Sequence, residues 1–169
     1  MKIVASTKLT RAQRAMDESR KYGETSNEVY QAAETKTPEA EKKELLIVCS
    51  SDKGLCGGVH SGLSRTVRRM FAEKPDGYDL IIVGEKAKAQ LGRTNGDNIK
   101  VSVAGVGKDV PTFGEAQAVA EQALALPGDY SAIKILYNRF INATAYEPST
   151  IEAFSEEAIT QSRRFPCHV

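Results

Sequence analysis

The stretch that most constrains this chain is residues 45–62, where a short apolar run meets a turn carrying three glycines. Leu45, Leu46, Ile47, Val48 and Cys49 form an unbroken apolar segment. That is the pattern of a parallel strand covered on both faces, for which alternation is lost. A polar turn follows from Ser50 to Lys53, and then Gly54, Gly57 and Gly58. Beyond them Leu63, Val67, Met70 and Phe71 recur at helical spacing, so strand, turn and helix open a βαβ unit. Glycines suit so sharp a reversal because they accept positive φ and close backbone approach.

The rest of the chain fits an α/β class. Residues 78–83 and 99–103 read as strands, 86–91 as a short helix and 93–98 as a turn cluster. A helix over 113–126 is closed by Pro127 and Gly128, in keeping with the preference for these residues past a helix end. Residues 133–140 predict a fourth strand and 150–154 a fifth. The fifth is antiparallel, because the connection around 142–146 is short. The expectation is a Rossmann-like βαβ sheet of about five strands over residues 45–162, with a linker at 34–44 and a divergent tail at 163–169. Residues 1–33 predict one long helix, locally basic through Lys2, Lys8, Arg11, Arg14, Arg20 and Lys21. Its apolar stripe is too thin to anchor so long a helix on one core, and it reads as half of a coiled coil.

Few classes of chemistry fit. A formal net charge of +1 over 169 residues offers no general attraction for nucleic acid, and the basic helix lacks interleaved aromatics. No apolar run approaches the ~20 residues of a membrane span. The three cysteines, Cys49, Cys56 and Cys167, and two histidines, His60 and His168, have neither a disulfide framework nor zinc spacing, which favours a reducing compartment. No metal or cofactor is expected. The glycine turn matches neither the P-loop nor the dinucleotide fingerprint, since Val59 and His60 follow Gly58 and the glycine spacing differs. One enzymatic foothold exists: Cys56 lies just before a helix N-terminus with His60 one turn on, an arrangement able to activate a thiol. A free-standing α/β anion-binding or thiol enzyme using Gly54, Gly57, Gly58 and Cys56 is therefore the alternative. Its competitor is a small cysteine packed in a tight turn, and Asp52 fits an N-cap or Asx-turn role in the same turn.

Two stretches carry a family resemblance. Ser51, Asp52, Lys53, Gly54, Leu55, Cys56, Gly57 and Gly58 resemble the signature of the gamma subunit of F-type ATP synthases, the central stalk. Met1, Lys2, Ile3, Val4 and the residues to Leu9 resemble the first long helix of that family. His60 departs from the family pattern, which usually has Asn there. The resemblance implies a non-catalytic rotor subunit coupling proton translocation to ATP synthesis or hydrolysis. Its partners would be the alpha and beta subunits, the epsilon/delta-type stalk subunits and the c-ring. Met1, Lys2, Ile3 and Val4 would then face the alpha–beta hexamer, and the 51–58 turn would belong to an interface. The implied location is peripheral, on the matrix side of the mitochondrial inner membrane of a fungus, with a bacterial plasma membrane as the second choice. The chain is also expected to be shortened at both ends relative to the family, as an internal start and a shifted or spliced reading frame would leave it.

Overall fold

The computed structural model describes residues 2–32, 42–108, 110–142 and 144–153. The chain divides into two compact units, one holding the N-terminal helix and the other residues 37–155. In the first, α1 runs Lys2–Ala32 over 31 residues. Thr10 and Ser19 donate their hydroxyls back to the carbonyls of Ser6 and Ala15 at 3.0 and 2.9 Å, so neither interrupts the helix. None of its described side chains (6–25, 27 and 28) is buried.

The second unit has the expected α/β fold. In chain order it contains β1 (Glu44–Cys49), α2 (Val59–Glu73), β2 (Tyr78–Val83), α3 (Glu85–Asn95), β3 (Ile99–Val103), α4 (Phe113–Leu124), β4 (Ile133–Asn142) and β5 (Ala145–Ala153). The sheet order is β3-β2-β1-β4-β5. β1 pairs in parallel with both β2 and β4, β2 in parallel with β3, and only β5 runs antiparallel, against β4. The first strand in sequence is thus the central strand in space.

Both faces of that strand are covered, which explains its uninterrupted apolar run. Leu46, Val48, Leu80, Ile82 and Leu136 pack under α2 and α3 against Leu63, Val67, Ala87 and Leu91. On the other face Leu45, Ile47, Ile81 and Val83 meet Val119 and Ala123 of α4, with Leu126 and Tyr130. Each large side chain buried this way contributes about 1.5–3 kcal/mol.

Two elements outrun their local signals. α3 continues through 93–95, where the sequence predicts a turn, and only then tightens into a 3-10 turn at Gly96–Asn98. Its last turn is held by packing and by Arg68 of α2. Leu91 is fully buried, and Arg68 donates to the Gln90 carbonyl at 2.9 Å and to Thr94 Oγ1 at 3.4 Å. β5 begins at Ala145, ahead of the expected start at 150. The connection is tighter than the predicted turn because the Asn142 side-chain oxygen accepts from Thr144 N and Oγ1 at 2.9 and 2.8 Å, closing an Asx turn.

α4 starts with a reciprocal capping box that sequence reading left unnoticed. Thr112 Oγ1 accepts from Glu115 N, and the Glu115 carboxylate accepts from Thr112 N at 2.9 Å. Replacing Thr112 with alanine is expected to cost about 1 kcal/mol, measured as a shift of the urea midpoint with an unchanged slope. Restoring the cap as Thr112→Ser should recover most of it.

Candidate functional site

The 51–58 turn lies beyond the C-terminal end of β1, where the sheet's βα turns gather. Its shape is set by its neighbours more than by its own residues. Gly84, ending β2, takes φ +105°, and a Cβ there would stand 2.6 Å from the Ser51 nitrogen. The two turns therefore lie backbone to backbone, tied by Ser50 N to the Val83 carbonyl at 2.8 Å, while Gly84 N donates on to the Val103 carbonyl at the end of β3 at 2.8 Å.

Asp52 joins all three turns. Its Oδ1 accepts from Glu85 N, the first residue of α3, at 2.7 Å, and its Oδ2 accepts from Gly105 N, beyond β3, at 2.6 Å. It does not cap the helix of its own βα unit: the N-cap of α2 is Gly58, without a side-chain bond. The expected local N-cap or Asx role is thus replaced by a long-range one, because the close approach at Gly84 brings the α3 terminus within reach. The amides of Glu85 and Gly105, with Lys86 nearby, hold the Asp52 carboxyl below the usual carboxylate range. A depressed folded pKa means stability that is full above the unfolded carboxylate pKa and lost as pH falls through the folded one. Asp52→Asn turns one acceptor into a donor facing an N–H. The expected cost is about 1 kcal/mol, kept small by solvent exposure. Faster hydrogen exchange at the Glu85 and Gly105 amides, and a shallower loss of stability in acid, would report it.

The thiol–imidazole pairing raised by the sequence does not form. Cys56 Sγ is directed at the Gly54 and Lys53 carbonyls, at 3.2 and 3.5 Å. His60 is buried, with Nε2 2.9 Å from the Lys53 carbonyl and Nδ1 2.9 Å from Ser50 Oγ. A carbonyl only accepts, so Nε2 carries a proton. Both nitrogens are spent on holding the start of the turn, at Ser50 and Lys53, against α2, a role sequence reasoning missed because its partners are brought together only by folding. Cys49 is a core thiol whose pKa burial pushes up.

At the tip the geometry is less relaxed. Leu55 has φ +58° and a fully exposed side chain, and Gly57 has φ +60°. A left-handed leucine is unusual and is retained where the surrounding structure enforces it. Behind the turn, β4 and β5 support it. Asn138 Nδ2 donates to the Val59 carbonyl at 3.1 Å, and Tyr146 Oη lies 3.1 Å from where a Gly58 Cβ would be. Ser51, Asp52, Lys53, Gly54, Leu55, Cys56, Gly57 and Gly58 thus form one braced loop. Lys2, Ile3 and Val4 begin α1, with side chains outside the described residues, as is Met1 altogether. No group of three or more His, Cys, Asp or Glu side chains with metal-holding geometry occurs among the described residues.

The family model described as ATP synthase matches residues 1–165 in one run, helix and α/β domain together. The chain belongs to the ATP synthase gamma-subunit family. It is 48% identical over 98% of its length to the mitochondrial ATP synthase subunit gamma of Yarrowia lipolytica, covering 57% of that relative. With the Saccharomyces cerevisiae subunit the identity is 41%, over 98% of this chain and 55% of the other. The chain therefore spans a little over half the length of these curated relatives. Among solved structures, a chain of the cryo-EM central stalk and c-ring of the Tetrahymena thermophila mitochondrial ATP synthase superposes with a TM-score of 0.76. The two are 29% identical, with coverage of 94% of this chain and 72% of that one. Family membership leaves the thiol-enzyme alternative without support.

Proposed function

We propose that this chain is a central-stalk rotor subunit, coupling proton translocation to ATP synthesis or hydrolysis in an alpha–beta hexamer and supplying no catalytic side chain itself. The observation that carries the reading is the single family match running through both α1 and the α/β domain. Coupling of this kind needs only an asymmetric shaft whose contacts differ between the conformations of the surrounding sites. α1 suits a shaft: 31 residues long, with no described side chain buried, it needs a partner to bury its Leu9 and Met16 stripe. A coiled coil is the natural form of that partnership.

In this reading Met1, Lys2, Ile3 and Val4 face the hexamer, and the 51–58 turn presents Lys53 and Leu55 to a neighbouring subunit. The epsilon/delta-type subunits and the c-ring meet the α/β domain. The chain sits peripherally on the matrix side of the mitochondrial inner membrane, as the mitochondrial relatives suggest. No helix among the described residues is long and apolar enough to cross a membrane. The test is co-purification of the full chain with an alpha–beta hexamer and, separately, with a c-ring carrying its stalk subunits. Specific retention by either supports the reading, and loss of retention in Leu55→Asp would assign the turn to the contact. A well-folded chain retained by neither overturns it.

A further inference from the structure

Three consecutive residues at the entry to β1 each form ion pairs reaching other elements. Lys42 pairs with Asp129, ahead of β4. Lys43 Nζ lies 3.3 Å from Oδ1 of Asp79 on β2. Glu44 meets Lys134 of β4 at 2.6 Å and Lys74, just past α2, at 3.3 Å. The backbone repeats the pattern: Glu44 N donates to the Gly77 carbonyl, Leu45 N to the Ala132 carbonyl and Ser131 N to the Lys43 carbonyl, at 2.9, 2.9 and 3.0 Å. Asp79 is buried, and it also accepts from Tyr130 Oη at 3.0 Å and faces Lys100 at 3.8 Å.

We propose that Lys42, Lys43 and Glu44 form a mechanical anchor through which force on the N-terminal helix enters the sheet along its central strand. The proposal rests on the rotor reading, in which the helix is a loaded shaft, and adds where the load goes. Chain continuity delivers it to residue 42. From there β1 is paired with β2 over Glu44–Cys49 and with β4 over Leu45–Val48, both in parallel. Tension drawing β1 toward its N-terminus therefore shears all of these bonds together, whereas tension across the strands, which peels one from its neighbour, breaks the bonds one pair at a time. The ion pairs sit at the end loaded first. Separating Lys43 from Asp79 leaves the buried carboxylate with only Tyr130 and the more distant Lys100, which makes that bond harder to open than a fully exposed pair.

The experiment is single-molecule stretching of the full chain in two geometries. One handle is at the N-terminus. The other is either an azide-bearing residue at Thr144, on the exposed hairpin tip between β4 and β5, or the C-terminus. The first geometry shears β1 against β4; the second peels β5, whose Ala153 end lies beside Ile133. The N-terminus-to-144 rupture force should be about twofold higher or more, because parallel bonds share the load. Asp79→Asn should lower it by about half, since the charge of the buried carboxylate that holds Lys43 at the loaded end is lost. Leu91→Ala, matched to it by melting temperature, should lower it clearly less. Lys43→Met serves the same comparison if Asp79→Asn fails to fold. Equal forces in the two geometries, or force losses that simply follow melting temperature, would overturn the anchor. Either result leaves co-purification with the hexamer or c-ring untouched, so failure of the anchor and failure of the rotor reading are told apart.

Discussion

Replacing Gly84 with alanine is expected to destabilise the α/β domain by about 3 kcal/mol or more, the sum of a strained backbone and an overpacked contact. Two costs coincide there. The backbone has φ +105°, which side-chain-bearing residues rarely adopt. The added methyl would also lie 2.6 Å from the Ser51 nitrogen and 2.9 Å from its carbonyl carbon. Both are backbone atoms and cannot swing aside as a lysine tail would. The turns must separate, and with them the reach of Asp52 to Glu85. Urea unfolding should show the loss, and the Glu85 and Gly105 amides should exchange freely. Gly57→Ala is the internal control, because Gly57 has φ +60° but open space around it, and its cost should stay near 1–2 kcal/mol. Equal losses in the two variants would mean that the contact between the turns has been misjudged.

Leu46→Ala should be comparably severe, at about 2–5 kcal/mol. Leu46 is fully buried at the centre of the sheet, in the cluster shared with Leu63, Val67, Leu80 and Leu136. Neighbours on both flanking strands prevent the site from collapsing onto the cavity. For a domain of this size the melting temperature should fall by about 10–20 °C. Leu124→Ala on α4 removes the same atoms from a side chain that is 78% exposed, and should change stability by no more than about 0.5 kcal/mol. If the two behaved alike, the assignment of the core to β1 would be wrong.

These contrasts show which parts of the molecule its sequence made legible. β2 was readable to its ends at Tyr78–Val83, because a strand covered on both faces leaves a dense apolar run, here between Gly77 and Gly84, and β3 at Ile99–Val103 from the weak alternation of an edge strand. α3 was cut short, since its last turn depends on Arg68 from another helix and on the burial of Leu91. No local signal announces either. β5 was also cut short: the turn is read around 142–146 and the strand only from 150, and it is pairing with β4 that makes a strand of Ala145 to Ser149 as well. At the site the glycines marked a sharp reversal correctly. What the turn holds on to was hidden, because the partners of Asp52 at Glu85 and Gly105 lie tens of residues away in sequence. Cys56 and His60 misled for the same reason. Their spacing suggested a dyad, but both are spent on carbonyls of the turn, Cys56 on Gly54 and Lys53 and His60 on Lys53.

The central position of β1 has a consequence in time. It is among the first parts of the domain to be synthesised, yet one of its two edges waits for β4, whose Ile133 must come back beside Leu45. Such distant parallel pairing closes slowly, since the loop entropy is lost before the contacts repay it. Until then β1, β2 and β3 are a half-sheet with a bare, apolar margin able to recruit another chain. A nascent chain of this kind is a natural client for a holding chaperone. Its yield on refolding should depend more on dilution than on the stability it finally reaches.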